Sequence, residues 1–319
     1  MIEEFNSLWV EKYRPQSLDE MIMCEDTREK VKQFAAEGII PHIFLCSRPG
    51  QGKTTLAKVI AYHLLNADVL YLNASENNNV DTVRDTIADF ARTMPTPGKD
   101  IKIVILDEID GFASDKAQKL LRGLMEEAAD NTRFILTANY RNKVIEAIRS
   151  RCLTLDINPS AKEVLKKCLY ICKMEGVKGV DQAKMQALLS MVKRMFPDVR
   201  SIIKTLQASV NKNGELVIKD YTNNQEFLQE VVNLILGDDS RKLRDYVIDH
   251  EPAFNGDYHF LLSDLYHFII DKEDLSDNLK PLWTIKLAEF ISKFQSVVDP
   301  ELNASACLFT LQIIAKQKR

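Results

Sequence analysis

The sequence predicts an α/β domain built on a parallel sheet, followed by a small helical domain and a C-terminal helical domain. Three observations predict it. Short apolar runs alternate with amphipathic stretches through the first half of the chain. Those runs are apolar throughout, not at every second residue. After "DINPSAKE" the strand-like runs stop. Strands apolar on both faces, joined by helical crossovers, form parallel sheets covered on both sides. A length of 319 residues allows two or three domains, and 45% hydrophobic with 28% charged residues can bury a real core.

The elements follow in order. Ile43–Cys46, Val69–Leu72, Ile101–Leu106, Phe134–Thr137 and Leu153–Ile157 read as buried strands, short and bounded by turn or polar residues. Helices are expected over Thr54–Asn66, Thr82–Arg92 and Ser114–Ala128. In the last, Ala117, Leu120, Leu121, Leu124 and Met125 recur at helical spacing, with Ser114 as N-cap. Residues 160–210 give amphipathic helices interrupted at Gly176–Gly179 and Pro197. The polar stretch 211–226 reads as a linker with a short extended piece at Leu216–Ile218. From Phe227 helices return, with breaks near Gly237, Pro252–Gly256 and Pro281. The expected domains are 1–157, 158–222 and 223–319.

Composition excludes several classes. No apolar run approaches the roughly 18 residues a membrane span needs, and the N-terminal segment has no apolar signal core. A cytoplasmic protein is expected. Net charge is −4, so any nucleic-acid surface must be local or assembled from several copies. Cys168 and Cys172 lie four apart, but no second pair or nearby histidine completes a zinc set.

The chemistry starts at "CSRPGQGKTT". A P-loop has the pattern G-x-x-x-x-G-K-[ST] between a strand and a helix. Here Ser47 replaces the first glycine, while Gly50, Gly52, Lys53 and Thr54 remain. The glycines let backbone N–H groups turn toward phosphates, and the following helix adds its N-terminal partial charge. Lys53 is expected on the β- and γ-phosphates, and Thr54 on Mg²⁺. The strand "IKIVILDEID" ends in Asp107-Glu108. Asp107 is placed to hold Mg²⁺ through water, and Glu108 to orient and deprotonate an attacking water. That points to a hydrolase. Asp110 reads as a loop or helix-start residue.

The P-loop, "VILDE", "ILTAN" and "RSRC" occur in the order found in AAA+ ATPases of the sliding-clamp-loader class, which the first 210 residues resemble. "LWVEKYRP", "YLNASENNNVDTVR" and "AQKLLRGLME" resemble boxes of replication-factor-C-type subunits. The length and helical tail are closest to the large ATPase subunits of T4-like bacteriophage loaders. The resemblance implies an AAA+ domain, a lid and a helical collar. It also implies roles. Arg48, Pro49, Gln51 and Thr55 join the nucleotide loop, and Tyr13, Arg14 and Pro15 cover the adenine. Asn139 is sensor 1, and Arg200 is sensor 2 from the second domain. Arg151 is an arginine finger for the neighbouring subunit, with Arg149 as rival. Asn78, Asn79, Val80, Arg84, Ser114 and Lys116 face DNA, and Gln118 and Arg122 relay between DNA and ATP. "NASENNNVD" lacks the basic residue often found in that loop, and the acidic box reads DEID.

The implied activity is ATP-driven loading of a sliding clamp onto primer-template DNA. The implied partners are copies of the chain, as a homotetramer, a smaller loader subunit, the clamp and DNA. Phe290, Ile291, Phe294 and Val298 are expected to pack in the collar; Phe90 and Met94 are candidates for a clamp contact, with Phe90 read first as a core residue. Rival readings are another AAA+ DNA motor or helicase loader, a non-hydrolysing scaffold, and a protein remodeller. No Lys/Arg-rich tail favours the motor, the intact chemistry opposes a scaffold, and the absence of an aromatic pore loop opposes the remodeller.

Overall fold

The computed structural model describes residues 8–38, 40–75, 80–99, 101–112, 115–179, 181–218, 224–254, 256–272, 274–276, 278–294 and 297–318. The chain forms two compact units, Met1–Lys219 and Asp220–Arg319.

The first unit contains the sheet. Its strands are β1 (Ile43–Cys46), β2 (Asp68–Asn73), β3 (Lys102–Asp107), β4 (Thr132–Ala138) and β5 (Leu153–Leu155). Their order is β2-β3-β4-β1-β5, and all neighbouring pairs are parallel. Alternation along the strands feeds two separate cores. Ile43, Leu45, Ile103, Ile105, Ile135 and Leu155 pack on one face, with Val31 of α2 (Glu25–Glu37) and Leu56 and Ala57 of α3 (Lys53–Lys58). Phe44, Val104, Leu106, Phe134 and Leu136 pack on the other, with α4 (Val80–Arg92) and α5 (Asp115–Glu127). Burial on both faces is why these strands are apolar runs.

The helix expected over Thr54–Asn66 is regular only to Lys58. Val59–Leu64 widen into a π-helix. The wide turn lets the Ala67 N–H reach the Ala61 carbonyl at 2.9 Å, which delivers the chain into β2 at Asp68. After the sheet come α6 (Glu146–Arg149), α7 (Ala161–Met174), α8 (Gln182–Met195) and α9 (Val199–Ala208). Ser160, Asp181 and Asp198 cap α7, α8 and α9 by accepting from the third residue on. Two segments expected elsewhere join this helical core. Trp9 of α1 (Trp9–Lys12) is buried among Val164, Leu188, Ile202 and Leu206, and its N–H donates to Gln207 Oε1 at 3.0 Å. Leu216, expected in a linker, is fully buried in the same cluster and bridges to Val210. A linker cannot begin at 211, because this apolar side chain closes the helical core.

The second unit is helical: α10 (Asn224–Leu236), α11 (Ser240–Asp249), α12 (Tyr258–Asp271), α13 (Leu279–Lys293) and α14 (Pro300–Gln317). Its core centres on fully buried Trp283, whose indole N–H donates to the Leu311 carbonyl at 3.1 Å. The break expected near Pro281 falls between Asp271 and Leu279, and Pro281 itself lies in the first turn of α13, where its missing N–H costs nothing. One expectation is corrected: Phe290, Ile291 and Phe294 pack against the core, but Val298 is 100% exposed, in the turn before α14. Among the described residues no helix is long and apolar enough to cross a membrane.

Candidate nucleotide site

The strand-to-helix turn after β1 carries the phosphate loop. Gly50 and Gly52 adopt φ of +76° and +93°, a region L side chains avoid, and Gly52 caps α3. The Lys53 side chain turns back under the loop. Its ammonium donates to the Ser47 carbonyl at 2.7 Å, the Arg48 carbonyl at 3.1 Å and Asn139 Oδ1 at 2.7 Å. Burial holds that ammonium below the usual lysine range, a pull that the nearby Cys46, Asp110, Asp107 and Glu108 oppose. The lysine of the loop and the proposed sensor asparagine thus meet directly, although 86 residues separate them.

The acidic pair follows from β3. Asp107 is buried at its carboxyl end, and the Thr54 hydroxyl lies 2.9 Å from both carboxylate oxygens. The Thr137 hydroxyl donates to Asp107 Oδ1 at 2.5 Å and accepts from the Glu108 N–H at 3.0 Å. Glu108 leaves the strand in the left-handed region, φ +58°, and accepts from the Ser75 hydroxyl at 2.9 Å. Asp110 is more than a loop residue. Its Oδ2 accepts the Asn139 and Tyr140 N–H groups, each at 3.0 Å, and so fixes the end of β4. A hydroxyl and a carboxylate side by side, both hard oxygen donors, fit a Mg²⁺ ion that phosphates complete.

Two hollows run together at this point. A polar one of about 410 Å³ is lined by Lys53, Thr54, Asp107, Glu108, Asn139 and Arg200, among others. An apolar one of about 610 Å³ is lined by Val10, Tyr13, Pro15, Met21, Ile22 and Ile203, and shares Gly50, Gly52, Thr55 and Arg200 with the first. An apolar slot beside a polar cradle suits a base and its phosphates. Gln51 is buried in the slot's lining, whereas Arg48 and Pro49 lie exposed at the loop's outer edge. The Arg200 N–H donates to the Gly50 carbonyl at 3.3 Å, which ties α9 to the phosphate loop. Tyr13 presents its ring to the slot while its hydroxyl donates to Glu175 at 2.6 Å; Arg14 pairs with Glu11.

Other expected residues lie away from the hollow. Arg151 is paired with Glu126 and also donates to the Ala147 carbonyl at 2.7 Å; Arg149 pairs with Glu146 at 2.5 Å. Gln118 is not on an exposed polar face. It is 2% exposed, donating to the Lys143 carbonyl at 2.7 Å and accepting the Ile145 N–H at 2.8 Å, while Arg122 is exposed. Phe90 is partly buried and Met94 is 85% exposed. Asn78, Asn79 and Ser114 lie outside the described residues, as do the side chains of Val80, Arg84 and Lys116. Sequence reasoning missed Tyr71 and Thr137 on Asp107, and Met21 and Ile22 in the slot. Tyr71 and Thr137 lie inside the boxes "YLNASENNNVDTVR" and "ILTAN", but only the sheet register shows their contact with Asp107, and only the loop 15–24 brings in Met21 and Ile22.

Comparison with known proteins identifies the family. Residues 43–157 match the ATPase family associated with various cellular activities (AAA), and residues 156–220 match the sliding-clamp-loader large subunit, AAA+ ATPase lid domain. The replication factor C small subunit of Archaeoglobus fulgidus is 32% identical over 321 residues, covering 97% of this chain and 98% of that one. The chain belongs to the replication factor C small-subunit family. Small subunit 2 of Pyrobaculum islandicum is 36% identical over 268 residues, covering 82% of this chain and 78% of that one. The branch-migration motor RuvB of Thermotoga maritima shares the fold, with a TM-score of 0.51 at 19% identity over 74% of this chain and 85% of that chain. As an AAA+ clamp-loader-type ATPase the chain binds nucleotide and hydrolyses ATP.

Proposed function

We propose that this chain is the large ATPase subunit of a T4-like bacteriophage clamp loader, which opens a sliding clamp and places it on primer-template DNA in the host cytoplasm. The observation that carries this reading is the union of a complete ATP site with a lid of the sliding-clamp-loader large-subunit type over residues 156–220. The relatives' names support the wider class, since they are replication factor C subunits.

In this reading the adenine rests in the slot under Tyr13, Arg14 and Pro15, and the loop Arg48–Thr55 cradles the phosphates. Lys53 exchanges its backbone and Asn139 partners for phosphate oxygens. Thr54 by its hydroxyl and Asp107 through water would hold Mg²⁺, which when bound neutralises charge on the phosphates. Glu108 leaves Ser75, orients the attacking water and accepts its proton. Asn139 and Arg200 read the γ-phosphate from the strand end and from the lid. Arg151 leaves Glu126 and completes the site of the next copy, because a guanidinium fork neutralises charge developing on the transferred phosphoryl group. Four copies and a smaller subunit form the ring, held through 223–319. Asn78, Asn79, Val80, Arg84, Ser114 and Lys116 line the DNA side, Gln118 and Arg122 connect that side to the ATP site, and weak contacts sum across copies.

The test is steady-state ATP hydrolysis by the chain with its small subunit, alone, with primed DNA, with the clamp, and with both. Stimulation only by DNA and clamp together, lost in Arg151→Ala, is expected. Stimulation by DNA regardless of clamp would refute clamp loading in favour of a DNA motor.

A further inference from the structure

Asp107 is gripped from the strands on either side of its own. From β4, Thr137 donates to Oδ1 at 2.5 Å. From β2, the Tyr71 hydroxyl donates to Oδ2 at 2.8 Å. The register explains the second contact. Tyr71 stands opposite Ile105, two residues before Asp107 and on the same face, so the phenol lies diagonally across the sheet to reach the carboxylate. The Lys58 ammonium, on the phosphate-loop helix α3, stands 4.5 Å from the ring centroid and holds the ring in that direction. Burial does not account for a tyrosine here. The side chain is on an edge strand and 37% exposed, so burial in a core does not fix its position, and the contacts with Asp107 and Lys58 act on it directly.

The third donor to Asp107 is Thr54, whose hydroxyl lies 2.9 Å from both oxygens. In the proposed function that hydroxyl oxygen turns to the cation. What then fixes the plane of the carboxylate is one donor per oxygen: Thr137 on Oδ1 and Tyr71 on Oδ2. Without the phenol, Oδ2 has no remaining strand donor among the described residues, and rotation about Cβ–Cγ is unpinned on that side.

We infer that Tyr71 is a positioning residue for the divalent-cation site: it aims the Asp107 carboxylate from β2, with Lys58 as its backing. The inference rests on the proposed role of Asp107 in holding Mg²⁺. It does not require Tyr71 to touch nucleotide, and Tyr71 is absent from the lining of both hollows.

The experiment measures binding, not turnover. The affinity of the full chain for a fluorescent ADP analogue is determined with Mg²⁺ and with a chelator. The ratio of the two affinities is the coupling between cation and nucleotide. Tyr71→Phe keeps the ring, its contact with Lys58 and the strand, and deletes only the hydroxyl. The expected result is a ratio about tenfold lower than wild type, the lower end of the cost of deleting one hydrogen bond to a charged group. Affinity in chelator stays unchanged. Asp107→Asn is the reference, expected to abolish the coupling. If Tyr71→Phe keeps the wild-type ratio while Asp107→Asn loses it, Tyr71 has no positioning role and the inference is overturned. If Asp107→Asn keeps the ratio, the cation role of Asp107 fails, and the inference with it. Loss of affinity in chelator by Tyr71→Phe would mark a general distortion and likewise overturn it.

Discussion

The contact between the phosphate loop and the lid makes Gly50 a position where one methyl group has a large effect. A Cβ built there would lie 1.8 Å from Asp198 Oδ1 and 2.5 Å from Asp198 Cγ. Asp198 cannot simply swing aside. Its Oδ1 accepts the Ser201 N–H at 2.9 Å and its Oδ2 accepts the Ser201 hydroxyl at 2.8 Å, which caps α9. Gly50→Ala therefore imposes two costs. An alanine at φ +76° costs about 1–2 kcal/mol, and displacing the cap costs about 1 kcal/mol more. The sum, roughly 2–3 kcal/mol, lowers the melting temperature by on the order of 10 °C for a unit of this size. Thermal or urea unfolding reads it directly. Asp198→Ala alone costs about 1 kcal/mol, but in the double variant the cap is lost once, not twice. The double variant should thus be about 1 kcal/mol more stable than the sum of the singles predicts. Additivity within about 0.3 kcal/mol would refute the clash argument.

Three further predictions follow from other contacts. The neutral His42 ring accepts the Phe134 N–H at 3.1 Å, and burial, then the Arg133 charge, lowers its pKa to about 4. Its contribution is complete above the unfolded value of about 6.5 and is lost as pH falls toward about 4. The urea midpoint of His42→Asn should accordingly fall less over that window than the wild type's; parallel curves would contradict the assignment. Trp9→Ala should cost about 3–5 kcal/mol, as for other buried aromatic deletions, and weaken nucleotide binding by freeing the box that lines the slot; unchanged melting would count against the packing of 8–15 on the helical core. Gln118→Leu leaves the Ile145 N–H without its acceptor, at about 1–3 kcal/mol, so hydrogen exchange at Ile145 should accelerate; unaltered exchange there would show that the amide is held by something else.

The sheet was legible in the sequence because its inner strands β1, β3 and β4 are buried on both faces and had to be apolar runs. The phosphate loop and Asp107-Glu108 were legible because their chemistry is local: a turn needing two glycines, a helix start, a strand end. The rest depended on register. Nothing in "VLYLN" announces that Tyr71 will reach across to Asp107, and nothing in "ILTAN" that Thr137 will serve two acids at once. Nothing in "AQKLLRGLME" shows that Gln118 is buried; only the loop at 143–145, whose backbone it bonds, gives it a reason to be inside. Trp9 and Leu216 misled in the opposite sense. Each lies in a polar stretch outside the helical pattern, and each is apolar because the helices at 161–208 leave a gap that they fill.

The strand order also bears on how the protein is made. β1 carries the phosphate loop, yet it hydrogen-bonds only to β4 and β5, beginning at residues 132 and 153. A nascent chain that has exposed the whole loop still lacks both neighbours of the strand that supports it. Ribosome-bound chains ending before β4 should accordingly fail to bind ATP, and binding should appear only after β4 and β5 emerge, with the delay inherent in pairings of long sequence separation. Once the sheet closes, nucleotide stabilises the folded form by mass action, so ATP acts on newly made chains as a late check that all the strands are present.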